Sequence, residues 1–214
     1  MPPLMLVPEY ERFPQPPGAN PYRIKGTAYR GHMAYVSEHM NGGEQAMFDA
    51  IVSPALLAFF KQTFLAASYY DLYPLVAAGH ICARLTETSF EGFLRIRTRY
   101  QAERDLNGVY KMLLKVTSPE SLALRLPRLV GQYLDFGSAE GHLVAPGHVV
   151  GAQSGTPRSM ARWFQQVHEQ YIDFLMPLAG ARNVRYRAHP QLRTDETRAG
   201  VELVTLRSDV TWEE

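Results

Sequence analysis

The spacing of apolar residues changes once along this chain, and that change limits the fold more than any other feature. Up to about residue 135 they recur every three or four positions, the period of an α-helix; from Phe136 onward they alternate or cluster between glycines, as in β-strands. One helical run interrupts the strand-like region: Met160, Trp163, Phe164, Val167, Tyr171, Phe174, Leu175 and Leu178, ended by Gly180. Helices first and strands later predict an α+β fold, with a helical N-terminal half packed on a C-terminal antiparallel sheet of about four strands. The long helix is expected to cross that sheet.

Punctuation residues mark the elements. Met33, Val36 and Met40 stand at helical spacing before Asn41-Gly42-Gly43, and a short helix follows from Glu44 to about Val52. Ser53-Pro54 and Ser118-Pro119 pair an N-cap with a proline at the first helical position, and Thr156-Pro157 repeats the device before the long helix. Helical runs are predicted from Ser53 to Leu65, from about Ser68 to Leu85, over Phe90 to Asn107, over Gly108 to Val116, and from Ser118 toward Tyr133, kinked or split at Pro127. A hairpin is expected around Leu143–Ala145 and His148–Val150, and strands over Val184–Ala188, Val201–Leu206 and Val210–Trp212, with Arg193–Gly200 as a loop.

Residues 1–22 form a proline-rich arm, with Pro2, Pro3, Pro8, Pro14, Pro16, Pro17 and Pro21, and residues 23–214 are read as a single α+β domain. The arm is either a tail or a strap for a partner. The formal net charge of +1 gives no field to gather nucleic acid. No apolar run reaches the roughly 20 residues of a membrane span, and the N-terminus lacks the basic start of a signal peptide. The lone Cys82 has no partner for an internal disulfide, which points to a reducing, cytoplasmic setting.

Catalytic motifs are missing from the sequence. Gly151-Ala-Gln-Ser-Gly155 carries its serine at the wrong position for a nucleophile elbow. The seven histidines, His32, His39, His80, His142, His148, His168 and His189, include no pair at metal-protease spacing. His142, His148 and His189 could share a metal only by tertiary contact; ordinary sheet histidines are the simpler reading. His80 and Cys82, on an apolar helix, are of the types that ligate haem iron, against a packed core histidine beside an inert thiol. Asp135, Glu140, Asp173 and Asp195 have no spacing that predicts a shared acid pair. The chain is therefore expected not to be an enzyme, the remaining alternative being one with dispersed acid-base residues, and to have no cleft holding two titratable groups of shifted pKa in mutual reach.

The order of segments resembles an uncharacterised paralogous family expanded in myxobacteria, of the DUF2378 type. The resemblance rests on Lys25-Gly26-Thr27, Phe64-Leu-Ala-Ala-Ser-Tyr-Tyr70, Gly108-Val-Tyr-Lys-Met-Leu-Leu114 with Ser118-Pro119-Glu120, Arg125 to Gly137, and Gly180-Ala-Arg-Asn-Val184. Members of that family carry a tryptophan followed by tyrosine and proline where this chain has Ser68-Tyr69-Tyr70-Asp71. The layout is also similar to the haem-nitric-oxide-binding and vinyl-reductase-like sensor domains, whose last strand ends near a tryptophan, as Val210-Thr211-Trp212 does. Haem-binding members of that group use Tyr-x-Ser-x-Arg at the propionates; the nearest run, Tyr35-Val-Ser-Glu-His39, lacks the arginine. No cofactor is expected on this basis, and haem is disfavoured.

The resemblance implies a non-catalytic sensor-like or regulatory domain holding a small, partly apolar molecule between helices and sheet. Tyr69, Tyr70, Tyr73, His80 and Trp163 are the expected ligand-binding residues, since aromatic walls with a few polar tips suit an apolar guest with an oriented head group. The alternative for each is a place in the packed core. A homodimer or another protein is the alternative partner, in an interaction module without a ligand; neither nucleic acid nor a membrane span is expected.

Overall fold

A computed structural model describes residues 7–107 and 118–213, the side chains of 190–195 excepted. The helix expected over Gly108–Val116 lies outside the described residues. The chain divides into two compact units, Met1–Arg97 and Thr98–Glu214.

In the first unit, β1 (Arg23–Lys25) leads into α1 (Gly26–His39), α2 (Gly43–Ala50) and α3 (Pro54–Phe60), and β2 (Tyr69–Asp71) into α4 (Leu72–Leu85). The helix α5 (Phe90–Asn107) begins here and ends in the second unit. Ser53 caps α3 as its sequence requires, its hydroxyl accepting from the Leu56 amide at 3.3 Å with Pro54 in the first turn.

Tyr69 and Tyr70 are not helical, contrary to expectation. They belong to β2, which pairs antiparallel with β1 in the register Arg23 with Asp71 and Lys25 with Tyr69. The cause is Asp71, whose carboxylate accepts from the Tyr73 amide at 3.0 Å and so fixes the helix start after the tyrosines. Gly26 allows β1 to turn into α1 against its neighbour: a Cβ there would lie 2.0 Å from the Leu65 carbonyl oxygen.

Aromatic rings fill this unit. Tyr29, with no exposed surface, stacks on Phe64 at 4.3 Å between centroids and meets Phe59, Phe60 and Tyr70 at 5.7 to 5.9 Å. Each such side chain contributes about 1.5–3 kcal/mol by leaving water. The described part of the proline-rich arm is tied to the same unit by buried acids: Glu11 accepts from the Val52 and Ser53 amides at 3.1 and 2.7 Å, and Asp71 from the Gly18 amide at 2.9 Å and the Asn20 side-chain amide at 2.6 Å.

The second unit contains the end of α5, α6 (Pro119–Tyr133), β3 (Ser138–Ala145), β4 (His148–Pro157), α7 (Ala161–Leu178), β5 (Arg182–Arg198) and β6 (Val201–Glu213). The strands form one antiparallel sheet in the order β3-β4-β6-β5. Both helices pack against it, α6 on β3 and α7 on β5, so the long helix crosses the sheet as expected. Pro127 stays inside a continuous α6 rather than splitting it.

Two boundaries differ from the sequence reading. The region 193–198 is the end of strand β5, with the turn confined to Ala199 and Gly200, because β5 and β6 pair through to Arg198 with Val201. Thr156 and Pro157 end β4 instead of capping α7, which follows a 3-10 turn over Arg158–Met160 and has no side-chain cap. The pairing of β4 with β6, out to Pro157 with Leu203, takes those two residues.

Candidate functional site

Between α6, α7 and the inner face of the sheet, the second unit leaves a cavity of about 100 Å³ that opens to solvent. An apolar cavity of about 150 Å³ admits benzene, so the space suits a small guest. Small residues make the room. Ala123 on α6 and Ala139, Gly141 and Gly151 on β3 and β4 line the space where larger side chains would have interdigitated, and a Cβ on Gly141 would come within 3.3 Å of Pro127. The apolar wall is completed by Leu126, Val130, Val149, Ile172, Leu206 and Val210.

A few polar side chains converge on this wall. Strand alternation turns Val149, Gly151 and Gln153 of β4 inward, opposite Val210, Ser208 and Leu206 of β6. Gln153, 4% exposed, donates from Nε2 to the Thr156 hydroxyl at 3.0 Å. Its Oε1 has no hydrogen-bond partner. From α7 come His168 and Tyr171, and from β5 Tyr186. Burial lowers the His168 pKa to about 4, so the imidazole is neutral at neutral pH. Burial likewise raises the Tyr186 phenol above its ordinary value, with Ser208 acting weakly against it.

Two titratable groups of shifted pKa, His168 on α7 and Tyr186 on β5, thus line the cavity. Both shifts run away from neutrality. A general acid or base works best with a pKa near the operating pH, and here desolvation moves each group in the opposite direction.

Behind Tyr171 lies a buried carboxylate. Asp105, 2% exposed on α5, accepts from the Tyr171 hydroxyl at 2.5 Å, the Tyr133 hydroxyl at 2.7 Å and the Gln101 side-chain amide at 2.9 Å. These three donors come from α7, α6 and α5, so one acid ties together the helices that roof the cavity. Hydrogen bonds to a charged acceptor are worth about 1.5–3 kcal/mol each.

None of Tyr69, Tyr70, Tyr73, His80 or Trp163 lines this cavity. Tyr69 is 36% exposed, with the Lys25 ammonium 5.7 Å from its ring centre. The Tyr70 hydroxyl accepts from the Leu65 amide at 2.8 Å. Tyr73 is 4% exposed and meets Phe13 edge-on. The His80 ring is stacked between Tyr10 at 5.2 Å and Phe90 at 3.7 Å, and burial lowers its pKa, with Glu91 acting the other way. Trp163, on α7 in the second unit, packs edge-on against Phe164. The residues that do converge carried a readable signal: His168 sits on the apolar stripe of α7 between Phe164 and Ile172, and Gln153 continues the inward alternation of Val149 and Gly151.

The sheet histidines His142, His148 and His189 do not line the cavity. His148 and His189 both hold Asp209 on the outer sheet face, His148 at 2.8 Å, and these bonds lower the Asp209 pKa. His142 lies 3.5 Å from Glu140. Among the described residues, no three His, Cys, Asp or Glu groups are placed to hold a metal ion. Cys82 is fully buried beside His32, sulfur to Nε2 at 3.8 Å, and burial pushes its thiol up to about 12, well away from the reactive thiolate. No described helix is long and apolar enough to cross a membrane.

No protein-family model and no curated protein matches the sequence. Solved structures do match in fold. An oxygen-binding H-NOX domain related to soluble guanylate cyclases superposes with a TM-score of 0.63 at 7% identity, over 89% of this chain and 95% of that one. An H-NOX structure from T. tengcongensis gives 0.62 at 8%, over 89% and 98%. A third, from work on haem distortion in the H-NOX family, gives 0.64 at 8%, over 89% and 95%. The expectation of no cofactor, with haem disfavoured, is overturned here, because proteins of this fold include haem proteins. The α+β layout expected from sequence matches these structures, whereas nothing in the comparisons bears on the myxobacterial family. At these identities, what the chain shares with H-NOX domains is their α+β fold.

Proposed function

We propose that this chain is a non-catalytic, sensor-like ligand-binding domain whose C-terminal unit takes a small, largely apolar guest between α6, α7 and the sheet. The observation that carries the reading is the cavity itself: about 100 Å³, walled by aliphatic side chains and glycines, with Gln153, His168, Tyr171 and Tyr186 as its polar points. Sites of this composition bind by burying an apolar body and orienting it through a few polar contacts. The fold shared with H-NOX domains supports the sensing role.

Native mass spectrometry of the full chain, as purified and after incubation with hydrophobic extracts, tests the reading. Adduct masses present in the wild type and lost in Ala123→Phe, which fills the cavity from α6, are the expected result. Identical adducts in both proteins would remove the cavity from the account.

Haem is a second reading, favoured by one feature. Iron asks for a neutral imidazole, thiolate or phenolate, and His168 presents a neutral imidazole on the cavity wall with no hydrogen-bond partner among the described residues. His168 would hold the iron, whereas among the described residues the inner face supplies no cation for the two propionates, so the lining fits the group at the iron alone. When bound, haem would supply an iron centre able to take up a small molecule. A Soret band on reconstitution that shifts or disappears in His168→Ala is expected on this reading; a band indifferent to that change counts against it.

A further inference from the structure

The cavity wall is uneven in a way that specifies its guest. The Gln153 amide is fixed at one end, where Nε2 donates to Thr156, and unpaired at the other, where the buried Oε1 has no hydrogen-bond partner. Its cross-strand neighbour, Leu206, has no donor to give. An unpaired acceptor in so buried a side chain costs about 1–3 kcal/mol, a cost removed by any guest that brings a donor.

Charge is absent from the inner face. Two ionisable side chains of usual charge belong to residues on the lining, Glu140 and Arg207. Both point outward: the Glu140 carboxylate lies beside exposed His142, and Arg207 alternates with Ser208 onto the face that carries Asp209, opposite His189. The remaining polar groups, His168 included, are neutral. An anionic head group would enter with its solvation lost and nothing to replace it.

Resting on the ligand-binding reading above, we infer that the guest is a neutral molecule with a hydroxyl or N–H group that donates to Gln153 Oε1, its apolar body lying against Leu126, Val130 and Ile172. The class is that of aliphatic or aromatic alcohols and primary amides, as opposed to ketones, ethers and carboxylates.

Isothermal titration of the full chain with 1-octanol, octanamide, 2-octanone and octanoate separates the possibilities. The two donors should bind about 5- to 30-fold tighter than the ketone, and octanoate should give no measurable heat. In Gln153→Met, close in volume and without the acceptor, the alcohol-to-ketone ratio should fall to about one. Equal affinities for alcohol and ketone in the wild type overturn the inference and leave the cavity reading intact, as does a preference that survives Gln153→Met. If that variant does not fold, the wild-type ranking still decides. Haem retention without octanol binding also overturns the inference alone; failure of all four probes and of haem removes both proposals.

Discussion

The two units solve the same packing problem in opposite ways. In the first, rings interlock around Tyr29, and a comparable buried histidine, His32, is held between Cys82 and the edge of Phe93. In the second, helices of similar length face a sheet whose inner positions include Gly141 and Gly151, and its half-buried histidine, His168, borders open space. Helix and strand signals of equal quality therefore give a filled interior or a hollow one according to whether large side chains oppose large ones or glycines. Interiors are close-packed wherever function does not intervene, so the hollow unit is where a guest is to be sought.

The contrast can be broken at its strongest point first. Tyr29→Ala should cost the first unit about 3–5 kcal/mol, the range for emptying a buried aromatic site. Both tryptophans, Trp163 and Trp212, lie in the second unit, so urea unfolding followed by circular dichroism and by fluorescence reports how far the loss stays in the first. A loss under 1 kcal/mol would mean that the ring cluster is not the core it resembles.

Asp105→Ala comes next, at about 3 kcal/mol, because it strips the acceptor from the buried hydroxyls of Tyr133 and Tyr171. Asp105→Asn should cost less, since one oxygen remains to accept. Fluorescence-detected unfolding measures both, and equal losses would show that charge rather than acceptor geometry matters there.

Acid probes both histidines. The folded chain keeps His32 and His168 neutral, with pKa values lowered from 6.5 to about 3 and about 4, while the unfolded chain protonates them near 6.5. The unfolded state then binds more protons, so stability is full above about pH 6.5 and falls as pH drops toward 4, by up to about 1.4 kcal/mol per pH unit for each histidine. Urea midpoints at pH 7, 6 and 5 should decline accordingly, and His168→Phe should flatten the decline seen by fluorescence. An unchanged slope in that variant would mean that His168 is solvated.

The smallest effect is the sharpest comparison. Ala123→Leu, into the cavity, should change stability by less than about 1 kcal/mol or raise it slightly. Ala78→Leu, in the fully packed α4, should cost about 1–3 kcal/mol by overpacking. Thermal melts of the pair decide; a similar penalty at both sites would show that the hollow collapses in solution.

The elements legible in the sequence are those whose ends are made locally. Ser53-Pro54 and Ser118-Pro119 cap α3 and α6 as read, since an N-cap and a following proline need only their own backbone. The three-residue strands β1 and β2 left no trace, because each exists through its partner in the other segment. Tyr69 and Tyr70 were mistaken for a helical stripe for that reason. The cavity was illegible for a related one: an empty volume is a property of opposed positions on α6, β3 and β4, and Ala123, Gly141 and Gly151 are unremarkable one at a time. Tyr73, His80 and Trp163 stood out as aromatic, and chemistry that stands out in sequence is here mostly chemistry that packs.

Asp71 joins the start of α4 to the backbone at Gly18 and the side chain of Asn20. Burial raises its pKa, and these hydrogen bonds hold it down. A chain trimmed to begin at Pro21 would lose the arm's share of them and keep the acid at the head of the helix. Its carboxyl group would then accept a proton more readily in the folded state than in the unfolded one, so the first unit of the shortened protein should melt earlier than the intact one at neutral pH, by a margin that narrows in mild acid.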